Sequence, residues 1–130
     1  MKVLALDYGS ARTGVAVSDP TGTLARPLGV VERAGSESGL AEVARLVHEE
    51  DAERVVVGLP LTMRGARGEQ AAETESFAEA LRGVVVVPVE LFDERFTTDL
   101  AQQTPGAAPE DALAAAHLLS TYLEWCAARS

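Results

Sequence analysis

The chain has 130 residues, of which 47% are hydrophobic, a formal net charge of −9 at pH 7 and a single cysteine. That length suits one domain over 1–130 with a core of its own, and no apolar run approaches the roughly eighteen residues that would cross a bilayer. The acid excess argues against a general electrostatic grip on nucleic acid, which depends on cations neutralising phosphates; lone Cys126 excludes an internal disulfide and is expected as a small apolar residue of the last helix.

In chain order, Val3-Leu4-Ala5-Leu6 followed by Asp7 predicts a short buried strand over 2–7, too short and too soon interrupted by a charge to be a secretion signal. A soluble, cytoplasmic protein is the expectation. Gly9-Ser10-Ala11-Arg12-Thr13 turns the chain into a second strand, Gly14 to Ser18, and Asp19-Pro20-Thr21-Gly22 turns it again into a third that ends near Val31. These make an antiparallel meander. From Ser36 to Glu50, Leu40, Val43, Ala44, Leu46 and Val47 recur at helical spacing, with acids between them. Arg54 to Gly58 reads as a strand buried on both faces, Leu59 to Gly68 as a loop, and Glu69 to Leu81 as a second amphipathic helix. Residues 84–92 predict a fifth strand, and residues 109–128 a final helix after Pro105-Gly106 and Pro109. The order is βββαβαβα. Right-handed crossovers set the fourth strand parallel to the first, and a five-stranded mixed sheet flanked by helices in that order is an α/β, ribonuclease H-like architecture.

Two acidic sites end apolar runs: Asp7, and Asp93-Glu94 after Val84-Val85-Val86-Val87-Pro88-Val89-Glu90-Leu91-Phe92. In α/β domains the carboxyl edge of the sheet is where ligands and chemistry sit. Each acid also has a plainer explanation. Asp7 fits a turn aspartate bonding to backbone two residues on, Asp93-Glu94-Arg95 a solvated loop with a local ion pair, and Asp111 an acid favoured by a helix dipole. Positions 111, 115, 118, 122 and 125 share one helical face, however, so Asp111 heads a stripe of Ala115, Leu118, Tyr122 and Trp125 and is aimed inward; Glu110 leads instead towards His117 and Thr121. Adjacent strand residues face opposite ways, so one acid of the 93–94 pair points at the site, and the sequence does not choose between them.

Three convergent carboxylates with no cysteine or histidine cluster suit a hard divalent cation, Mg²⁺ or Mn²⁺. Arg12, Arg26, Arg64, Arg67 and Arg95 fall in or beside loops at this edge, while Glu37, Glu42, Glu49, Glu50, Asp51 and Glu53 crowd around the first helix, a pattern that fits a local basic rim on an acidic body. Gly65 and Gly68 lend freedom to the loop that carries Arg64 and Arg67. His48 and His117 lack partners at metal or triad spacing, and Ser10, Ser18, Thr97 and Thr98 lack a companion base.

The segments Leu6-Asp7-Tyr8-Gly9-Ser10-Ala11-Arg12-Thr13-Gly14-Val15-Ala16-Val17-Ser18-Asp19, Val57-Gly58-Leu59-Pro60-Leu61, Phe92-Asp93-Glu94-Arg95-Phe96-Thr97-Thr98 and Glu110-Asp111-Ala112-Leu113-Ala114-Ala115 together resemble the YqgF (RuvX) family, relatives of the RuvC Holliday junction resolvases. Four motifs in order over nearly the whole chain carry the resemblance. It implies a ribonuclease H-like fold and a cytoplasmic, two-metal-ion nuclease with a proposed role in maturing the 5′ end of pre-16S ribosomal RNA. By motif position the resemblance implies that Asp7, Asp93, Glu94 and Asp111 are the catalytic, metal-binding acids, and a place at the centre of the sheet would let Asp7 bridge both ions. Arg12, Arg64, Arg67 and Arg95 contact nucleic-acid phosphates.

Two departures stand out. RuvC enzymes carry a carboxylate after the fourth strand, where this chain has Gly58-Leu59-Pro60, so the missing acid has to come from the fifth. The stretch between Thr98 and Asp111 is shorter than usual for the family and lacks its lysines. RNA is the favoured partner and branched DNA the alternative, for a monomer or weak homodimer. The rival readings are an actin-like nucleotide-binding domain and a non-catalytic RNA or protein interaction module.

Overall fold

The computed structural model describes residues 1–60, 68–93 and 110–129. Over these the chain runs β1 (Val3–Asp7), β2 (Arg12–Ser18), β3 (Ala25–Glu32), α1 (Glu37–Glu49), β4 (Arg54–Leu59), α2 (Glu69–Arg82), β5 (Val89–Asp93) and α3 (Glu110–Ala128). The strands form one five-stranded sheet in the order β3-β2-β1-β4-β5. β2 pairs antiparallel with β1 and β3, while β4 runs parallel to both β1 and β5. The mixed sheet and the βββαβαβα order are those expected, with β1 at the centre.

Strand periodicity sorts the apolar residues onto two faces. Leu4, Leu6, Val15, Val55, Val57 and Val89 pack with Val43 and Val47 of α1 and with Phe77, Ala78 and Leu81 of α2. Val3, Ala5, Ala16, Val56 and Phe92 pack with Ala115, Leu118, Leu119, Tyr122 and Leu123 of α3. Covering on both faces is why β1 and β4 read as unbroken apolar runs.

Polar groups fix where the elements start and stop. The Ser36 hydroxyl accepts from the Gly39 amide at 3.0 Å and caps α1. Asp19 accepts from the amides of Thr23 and Leu24 at 2.8 and 3.0 Å and from the Thr21 hydroxyl, which closes the β2–β3 turn; Gly22 there takes φ 71°, a conformation suited to glycine. At the opposite end of the sheet from Asp7, the Arg54 guanidinium donates to the Tyr122 hydroxyl at 2.8 Å, and that hydroxyl donates to Glu90 at 3.1 Å. Burial pushes the Tyr122 hydroxyl up to about 12, so it stays a neutral donor that ties α3 to β4 and β5.

The fifth strand differs from its expected range. It spans Val89–Asp93, and the four valines before it form no strand. The amides of Val84 and Val85 donate to the Leu81 carbonyl at 3.0 and 3.1 Å, so the end of α2 captures them before they can join a ladder. Val85 and Val87 lean on the core, whereas Val86 is fully exposed. Trp125, expected on the packed stripe of α3, is 36% exposed and lies at the stripe's edge, its ring 5.6 Å from that of Phe92. Among the described residues no helix is long and apolar enough to cross a membrane.

Candidate active site

Asp7 closes the central strand and is paired with Gly14 of β2. Directly paired residues of antiparallel strands project from the same face, and at Gly14 that face meets the start of α3. A Cβ on Gly14 would lie 1.8 Å from the carbonyl oxygen of Asp111, 2.4 Å from its carbonyl carbon and 3.1 Å from the amide nitrogen of Ala112. The absence of a side chain is what lets the first turn of α3 lie against β2. Asp7 and Asp111, far apart in sequence, therefore stand on one face at one edge of the sheet.

The hairpin between Asp7 and Gly14 is built to hold its shape. Thr13 is fully buried, its hydroxyl accepting from the Gly9 amide and donating to the Gly9 carbonyl, both at 3.3 Å. A Cβ on Gly9 would come within 2.4 Å of the Arg12 carbonyl oxygen. Thr13 is thus a fastening of the turn, and Ser10 is exposed. Arg12 lies on the same strand face as Gly14, two positions along, and its Nη2 pairs with Asp111 Oδ2 at 2.7 Å. Both side chains remain partly open to solvent, 57% and 38% exposed.

Asp93 ends β5, paired with Leu59. By alternation it belongs with Val89 and Leu91, whose face looks to α1 and α2. Phe92, its neighbour, is on the α3 side, edge-on to Tyr122 at 5.3 Å. Within β5, then, Asp93 is on the face away from Asp7 and Asp111. Gly58 pairs with Phe92 and puts no side chain on the floor between them. Glu94, Arg95, Arg64 and Arg67 lie outside the described residues.

Tyr8, a residue to which the sequence attaches no separate role, braces this edge from the other face. Its ring stacks on Phe77 of α2 with centroids 4.5 Å apart and an interplanar angle of 22°. Burial, reinforced by the carboxylate of Glu73, raises its pKa above the ordinary value. An aromatic residue directly after the candidate site acid was the available signal.

Among the described residues no group of three or more His, Cys, Asp and Glu is arranged to hold a metal ion. The described part supplies Asp7 and Asp111, an all-oxygen donor set of the kind hard cations take. Cavities of about 370 Å³ beside His48 and Asp51 and about 420 Å³ beside Arg54 and Tyr122 lie among the described residues, and neither is lined by Asp7 or Asp111.

The family described as "RuvX: Holliday junction resolvase" matches residues 1–125. The chain belongs to the RuvX family. Among its relatives, a candidate pre-16S rRNA nuclease of Chloroflexus aggregans is 44% identical over 94% of this chain and 92% of the relative, and one of Syntrophomonas wolfei is 35% identical over 95% of this chain and 94% of the relative. Similar folds occur in Thermus thermophilus RuvC in complex with a Holliday junction substrate, with TM-score 0.63 and 21% identity over 97% of this chain and 96% of RuvC. Fowlpox virus resolvase in complex with Holliday junction DNA has TM-score 0.57 and 13% identity over 97% of this chain and 99% of the resolvase. This RuvX chain thus shares its fold with resolvases at low identity, and its higher identities are with relatives named for ribosomal RNA.

Proposed function

We propose that this RuvX chain is a metal-dependent nuclease that hydrolyses phosphodiester bonds, with the 5′ end of pre-16S ribosomal RNA as its substrate. The observation that carries the proposal is that Asp7 and Asp111 stand at one face of the sheet, Asp7 paired with Gly14 and the Asp111 backbone resting against that same glycine. A turn aspartate and a dipole-stabilising acid have no reason to share a site. The naming of relatives at 44% identity for pre-16S rRNA favours RNA over branched DNA.

Asp7, Asp111 and one acid of the 93–94 pair are the groups to hold Mg²⁺ or Mn²⁺. Such an ion, when bound, supplies charge neutralisation and activation of water for attack on phosphorus. Asp7, at the end of the middle strand of the sheet, would be the central acid of that set. Arg12, Arg64, Arg67 and Arg95 would orient the flanking phosphates, a positioning role that carries little sequence information. A local arginine rim is needed because the net charge of −9 otherwise repels a polyanion.

The test is cleavage of end-labelled RNA and of four-way DNA junctions by the wild type and Asp7→Asn, each with EDTA, Mg²⁺ or Mn²⁺. Metal-dependent cutting of RNA that Asp7→Asn lacks supports the proposal. Cutting confined to the junctions replaces RNA with branched DNA as the substrate, and the absence of any cutting turns the reading towards a binding module.

A further inference from the structure

The Arg12–Asp111 pair is a product of register. Gly14 lets the first turn of α3 rest on β2, and Arg12, two residues along the same strand face, is carried to that turn and bonds Asp111 Oδ2 at 2.7 Å. A guanidinium at the start of a helix faces the positive end of the helix dipole, an unfavourable place for a cation. The Asp111 carboxylate is therefore what holds it there. The pair is partly exposed, 57% and 38% by side chain, and pairs of this kind are weak enough to exchange.

We infer that Arg12 is an exchangeable internal counter-cation of Asp111, competing with a divalent ion for the same carboxylate and so setting the ion concentration at which the site loads. This rests on the reading of Asp111 as a metal ligand. Two positive charges on one carboxylate repel, so ion binding releases the guanidinium. Freed, its planar fork of donors matches a phosphate. Arg12 would thereby couple loading of the ion to capture of the nucleic-acid backbone at the same edge.

Mn²⁺ titration calorimetry on the full chain tests this without any cleavage assay, comparing wild type, Arg12→Gln, Arg12→Lys, Asp111→Asn and the double variant Arg12→Gln/Asp111→Asn. Arg12→Gln is expected to bind Mn²⁺ roughly two- to fivefold more tightly than wild type, the factor that an exposed pair represents. Arg12→Lys, which keeps the charge, should remain near wild type. In the Asp111→Asn background the gain from Arg12→Gln should vanish, which a general change in surface charge would not produce. Unchanged or weaker binding by Arg12→Gln, or an equal gain without Asp111, overturns the inference and leaves the nuclease reading standing. Failure of the wild type itself to bind Mn²⁺ overturns both.

Discussion

The backbone of Asp111 lies where a side chain of Gly14 would be: a Cβ added to the glycine would stand 1.8 Å from the Asp111 carbonyl oxygen. No rotamer change relieves such a clash, because the obstructing atoms are main chain. Gly14→Ala should push the start of α3 off the sheet, costing about 1–3 kcal/mol as overpacking does. It should also separate Asp111 from Asp7. Denaturant unfolding and cleavage assays on the folded fraction check the two effects, and cleavage is expected to fall further than the loss of folded protein explains.

Asp7→Asn should keep the fold. Asp7 is only partly buried and ends its strand, while the packing of β1 rests on Leu4, Ala5 and Leu6. If Asp7 holds the metal as proposed, its loss should reduce cleavage by more than the roughly 10- to 100-fold that follows loss of a group merely supporting a ligand. Circular dichroism and a melting curve like those of wild type, with cleavage lost, is the expected pair of results.

The acids of the 93–94 pair should prove unequal. Asp93 stands on the strand face of Val89 and Leu91, away from Asp7. Glu94 is therefore the member expected to serve the reaction. Glu94→Gln should lower cleavage and Mn²⁺ affinity by a larger factor than Asp93→Asn, and the reverse order would place Asp93 at the ion instead.

Asp19 predicts a pH dependence away from the site. Hydrogen bonds from the Thr21 hydroxyl and from the Leu24 and Thr23 amides hold its carboxyl far below the ordinary 3.8. A depressed folded-state pKa contributes stability that is present above the unfolded value and fades as pH falls towards the folded one. Asp19→Ala should melt at a lower temperature than wild type at pH 7, and the gap should narrow once the pH drops below 3.8. Melting curves between neutral and strongly acidic pH check this, with cleavage at neutral pH unaffected.

Most of the architecture was legible from local pattern, because helical and strand periodicities report which face of each element is buried. The apolar spacing from Leu40 to Val47 marks α1, which spans Glu37–Glu49, and the β-branched run marks β4, Arg54–Leu59. The valines at 84–87 show where local pattern misleads: their composition says strand, but the Leu81 carbonyl at the end of α2 takes the amides of Val84 and Val85 first.

The residue order by itself settled the succession of elements, the sheet class and the acids that end strands, since these follow from composition and spacing within short windows. It did not settle what those acids face. That Asp7 and Asp111 share a face, that Arg12 is held by Asp111, and that Asp93 belongs to the opposite face all follow from pairing register and from a helix resting on a bare glycine. Such contacts join residues far apart in the chain, and the close approach that makes them depends on tertiary packing, which no local periodicity encodes.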